Sequence, residues 1–123
     1  MPLRVLVVED NATNRMLIRA VLQRDGFEVS LAGSAEEASQ SLAQQLPDLI
    51  LMDIHLPGED GLSLTRRLRA GGPTATLPIV AVTALAMPGD GERVLAAGCT
   101  GYITKPIDTR RLAEQVRSFL TPV

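Results

Sequence analysis

"LILMDIHLPGEDG", residues 49–61, places Leu49, Ile50, Leu51 and Met52 directly before a carboxylate, Asp53. A short unbroken apolar run reads as a strand buried on both faces, as in a parallel sheet. A buried strand has no use for a bare charge at its end. Asp53 therefore either caps the next turn or belongs to a site at the carboxyl end of that strand.

Working outward, "RVLVV" (4–8), "EVSLA" (28–32), "DLILM" (48–52), "PIVAVT" (78–83) and "GYITK" (101–105) all read as strands. Amphipathic stretches separate them. Residues 14–26 place Met16, Leu17, Ala20 and Val21 at helical spacing and close on Gly26. Residues 34–46 open with Ser34 and Glu37, a capping-box spacing. Residues 61–72, 88–98 and 108–120 complete five helical patterns. The fourth is weakened by Gly89 and Gly91, each costing about 1 kcal/mol relative to alanine within a helix. Alternating strands and helices predict an α/β fold, (βα)5, with a doubly wound five-stranded parallel sheet. The leading strand order is 2-1-3-4-5, a flavodoxin-like three-layer arrangement whose crevice lies beyond the carboxyl ends of strands 1 and 3.

The chain of 123 residues has the size of a single domain, so one domain over residues 1–123 is expected. A net charge of −2 gives no sign of a nucleic-acid partner. No apolar run approaches the length of a membrane helix, and "MPLRVLVVED" lacks a signal-peptide core. Cys99 is the single cysteine, so no intrachain disulfide forms, the cytoplasm is the expected compartment, and the thiol reads as buried apolar filler. His55 is the single histidine, which excludes a zinc site built on several histidines. Lys105 is the single lysine beside eleven arginines, an exception that favours a slim ammonium at that position.

Chemistry gathers at one sheet rim. Strand 1 runs out into Glu9 and Asp10, strand 3 into Asp53, strand 4 into Thr83 and strand 5 into Lys105. Two carboxylates about 4 Å apart repel by roughly 4 kcal/mol at an effective dielectric near 20. Three together call for a cation. Lys105 supplies one charge, and a hard divalent ion with oxygen ligands, Mg²⁺ before Ca²⁺, supplies the rest.

These residues resemble the receiver domain of bacterial two-component response regulators, over essentially the whole chain. The likeness is carried by Glu9-Asp10, by Asp53 with Pro57 and Gly61, by Thr83-Ala84 and by Lys105-Pro106. "VVEDNATNR", with Asn11 and Asn14, is similar to receivers of hybrid histidine kinases or of phosphotransfer partners. The resemblance implies that Asp53 accepts a phosphoryl group from a phosphohistidine on a histidine kinase or histidine phosphotransfer protein. It implies Mg²⁺ held by Asp10, Asp53 and the backbone carbonyl of His55, with Glu9 reaching it through water. Lys105 and Thr83 would bind phosphoryl oxygens, and the Lys105–Pro106 bond would be cis. Thr83 and Tyr102 would form the switch, reshaping the face of helix 4, strand 5 and helix 5 for a downstream protein target. Tyr102 can equally be a half-buried packing residue, and His55 a solvated loop residue. Glu59 departs from the apolar residue common at its position. A monomer or weak dimer that catalyses only its own phosphorylation and dephosphorylation is expected, without direct nucleic-acid or membrane contact.

Three rival readings address the same residues. An aspartyl phosphohydrolase would want a second aspartate where His55 stands. A flavodoxin-like cofactor module would want a glycine-rich first loop, whereas "EDNATN" has two acids and no glycine. A degenerate receiver that binds partners without phosphorylation is the serious alternative, although all the acceptor residues are present.

Overall fold

The strands are β1 (Arg4–Val8), β2 (Glu28–Ala32), β3 (Leu49–Asp53), β4 (Ile79–Thr83) and β5 (Gly101–Thr104). In the computed structural model, which describes residues 2–56, 58–84 and 88–120, they form one parallel sheet ordered β2-β1-β3-β4-β5. The helices are α1 (Ala12–Arg24), α2 (Ala35–Gln44), α3 (Gly61–Arg69), α4 (Asp90–Ala96) and α5 (Leu112–Leu120). The expected fold class and strand order are those observed.

The three nearly unbroken apolar runs occupy the inner positions of the sheet, and β3 and β4 are buried along their whole length. Successive side chains point to opposite faces, so one run feeds two cores. Val5, Val7, Leu49, Leu51, Val80 and Val82 pack with Ile18, Leu22, Leu112 and Val116 of α1 and α5. Leu6, Val8, Ile50, Met52, Ile79 and Ala81 pack with Ala38, Leu42, Leu64, Leu68 and Val94 of α2, α3 and α4. The edge strands β2 and β5 alternate between covered and exposed positions instead.

Several boundaries move, each for a local reason. The first helix starts at Ala12, before the expected residue 14, because the Asn11 side chain caps it by accepting the Asn14 N–H at 2.9 Å. β3 begins at Leu49, after Asp48, whose carboxylate accepts the Arg4 N–H at 2.7 Å and whose own N–H donates to the Arg4 carbonyl at 2.8 Å. α3 ends at Arg69, short of residue 72, where Gly71 and Gly72 take positive φ and a 3-10 turn (Gly72–Thr74) follows. α4 is shorter than residues 88–98, behind a left-handed Gly89 with no side-chain cap. α5 starts at Leu112 because Asp108 first holds a turn, accepting the Arg110 N–H on its side chain at 2.9 Å.

Candidate functional site

Parallel strands bring their carboxyl ends to one rim, and the topology places β1 beside β3 and β3 beside β4. Glu9 follows β1, and its N–H still donates to the Ala32 carbonyl at 2.9 Å, which prolongs the sheet to this residue. Asp53 closes β3 opposite Val82 of β4. Glu9 and Asp53 are buried, while Asp10 is exposed to solvent. One carboxylate oxygen from each of Glu9, Asp10 and Asp53 lies within 4.8 Å of the others.

Lys105 Nζ stands 3.3 Å from Asp53 Oδ2, and the His55 N–H donates to Asp53 Oδ1 at 2.9 Å. Asn14 Nδ2 donates to Glu9 Oε1 at 2.7 Å. Burial pushes the Glu9 carboxyl up to about 7, a hydrogen bond to Asp53 adds to the rise, and Asn14 opposes it. Burial would also raise Asp53, but hydrogen bonds from Glu9 and the His55 backbone, together with Lys105, hold it below the usual carboxylate range. Of the two, Glu9 therefore takes up a proton first as pH falls. An oxygen-only donor set of three converging carboxylates, with one member open to solvent, fits a hard divalent cation such as Mg²⁺.

Thr83 is buried at the end of β4, and its carbonyl accepts the Lys105 N–H at 2.8 Å. The Lys105–Pro106 peptide bond is cis. Tyr102 lies on β5 with 38% of its surface exposed. Its ring rests against α4 at Gly91, where a Cβ would stand 3.1 Å from the phenolic oxygen. Glu59 is engaged by α3: Arg67 Nη2 lies 2.7 Å away and Ser63 Oγ 3.2 Å away. Pro57 lies outside the described residues. A cavity of about 490 Å³ opens beside the acids, lined by Asn14, Leu17 and Ile18 of α1 and by Lys105, Pro106 and Ile107. Arg15, which nothing in the side-chain spacing singles out, donates from its guanidinium to the backbone carbonyls of Glu9 and Asp10.

A family model for the response regulator receiver domain matches residues 5–117. The chain belongs to the response regulator receiver family. The receiver is 42% identical over 120 residues to the polar-differentiation response regulator DivK of Brucella anthropi, covering 98% of each chain. Among solved structures, it matches the receiver domain of the sensor histidine kinase PA1611 from Pseudomonas aeruginosa with a TM-score of 0.87 and 38% identity over 98% of each chain. That neighbour carries a magnesium ion coordinated in its active-site cleft. The chemotaxis response regulator CheY4 of Vibrio cholerae matches with a TM-score of 0.91 at 26% identity, over 98% of this chain and 100% of that one. The receiver is therefore a signalling domain of two-component systems. Among its described residues, no helix is long and apolar enough to cross a membrane.

Proposed function

We propose that the receiver, acting as one domain over residues 1–123, takes a phosphoryl group onto Asp53 from a phosphohistidine of a histidine kinase or histidine phosphotransfer protein. The observation that carries this reading is the buried Asp53 carboxylate, 3.3 Å from the ammonium of Lys105 and within 4.8 Å of carboxylate oxygens of Glu9 and Asp10. The magnesium in the cleft of the Pseudomonas aeruginosa neighbour supports a metal at the corresponding place.

Asp10 and Asp53 would ligate Mg²⁺ directly, with the His55 carbonyl, and Glu9 would meet it through water. Bound there, Mg²⁺ supplies charge neutralisation for the incoming phosphoryl oxygens. The Asp53 carboxylate is a weak nucleophile, so the chain's contribution is positioning and charge. The His55 N–H fixes one Asp53 oxygen at 2.9 Å and orients the carboxylate. An Asp53 oxygen forms the new O–P bond as the N–P bond of the phosphohistidine breaks. The electron pair of that bond returns to the imidazole nitrogen, and the product is an acyl phosphate. Lys105 exchanges its Asp53 partner for a phosphoryl oxygen, and Thr83 donates its hydroxyl to another. Hydrolysis of the acyl phosphate returns Asp53 and inorganic phosphate.

The added charge and acceptors draw Thr83 toward the site. Tyr102 then leaves Gly91 for the space behind Thr83, and the α4–β5–α5 face changes for a downstream protein target in the cytoplasm. The test is incubation with acetyl phosphate and Mg²⁺, followed by intact mass. A single phosphoryl adduct is expected in the native chain, and none in Asp53→Asn or after chelation. No adduct in the native chain across a range of metal and donor concentrations overturns the reading.

A further inference from the structure

Arg15 stands in the opening turns of α1, and its N–H makes the helix's first internal bond, to the Asn11 carbonyl at 3.0 Å. A cation near a helix N-terminus opposes the helix dipole, and the first turn of α1 contains no acid. The side chain turns back to β1 instead. Its Nη1 donates to the carbonyl oxygens of Glu9 at 2.9 Å and Asp10 at 3.0 Å. These belong to the two residues whose carboxylates converge with Asp53. The guanidinium is seated on Gly33, between β2 and α2, where a Cβ would lie 2.8 Å from Nη1. That seat exists because the residue has no side chain. Gly33 is itself held by its N–H, which donates to Glu37 Oε1 at 3.0 Å.

We propose that Arg15 is a positioning residue for the divalent-cation site. It pins the backbone of Glu9 and Asp10 so that their carboxylates meet Asp53, and Gly33 provides its seat. The proposal rests on reading Glu9, Asp10 and Asp53 as the Mg²⁺ site. The sign of the effect separates positioning from simple charge. By Coulomb's law alone a guanidinium near a metal site repels the metal, so its removal would tighten binding. Positioning predicts the reverse.

The experiment titrates Mn²⁺ into the metal-free protein, followed by water-proton relaxation, with Mg²⁺ as competitor. Arg15→Ala is expected to weaken both ions by roughly tenfold, the scale found when groups orienting metal ligands are lost. Gly33→Ala, which pushes only the far end of a flexible side chain, weakens them in the same direction. The double variant is no weaker than Arg15→Ala, because both changes remove one interaction. Arg19→Ala removes an equal charge from a side chain bonded to Met16 Sδ, and it does not weaken binding. Melting curves without metal report folding separately, and Gly33→Ala carries the test if Arg15→Ala does not fold. Unchanged or tighter binding in Arg15→Ala, or losses that multiply in the double variant, overturn the proposal. A native chain that binds neither ion overturns the magnesium reading, and this inference with it.

Discussion

At the scale of single residues, the site joins two buried acids, of which Glu9 holds its proton more tightly than an ordinary carboxyl. Glu9 and Asp53 are too close and too buried for both to ionise easily, and the Glu9 carboxyl is raised to about 7. A cation that binds the ionised acids must displace that proton. Lower pH therefore weakens Mg²⁺, by about tenfold between pH 8 and pH 6 for one displaced proton. Calorimetric titrations in buffers of different ionisation enthalpy would show the release, and Glu9→Gln should flatten the pH dependence. Glu9, Asp10 and Asp53 were legible because they follow short apolar runs, and Lys105 because it is the single lysine, at the end of the fifth strand pattern. Arg15 was not. Its partners are backbone carbonyls and a bare glycine on the next βα connection, and side-chain spacing carries no mark of such contacts.

At the scale of elements, α4 is the weakest helix. It has seven residues, a left-handed glycine before it and no side-chain cap. An alanine at Gly91 would favour the helix by about 1 kcal/mol. Its methyl would also meet the Tyr102 ring, so the ring must move. Tyr102 is the single tyrosine in a chain without tryptophan, which makes ultraviolet emission a direct report on that ring. Gly91→Ala should change the tyrosine emission of the unphosphorylated protein, and unchanged emission together with the full helix gain in stability would mean that the ring does not rest there. Helix ends were the least legible feature. Asp108 could open a helix or hold a turn, and it accepts the Arg110 N–H as a turn residue would. The inner strands were the most legible, because burial on both faces confines the polar residues of β3 and β4 to their carboxyl ends.

At the scale of the whole molecule, the sheet has two rims with different tasks. The acids and Lys105 lie at the carboxyl ends of the strands. At the other end, Arg69 leaves α3 and donates to the carbonyls of Gly98 at 2.8 Å, Thr74 at 3.0 Å and Leu77 at 2.6 Å. These bonds tie together the segments that lead into β4 and β5. Arg69→Ala should cost about 2 kcal/mol or more in chemical denaturation while leaving Mg²⁺ affinity unchanged. Mg²⁺ in turn should stabilise the native chain by about 2.7 kcal/mol at a hundredfold excess over Kd, read as a raised Tm, and not Asp10→Asn. On that expectation, resistance to unfolding and ion affinity are set at opposite rims of the sheet. Thermal endurance would then be adjustable at that anchor without disturbing the ion pocket at the opposite edge.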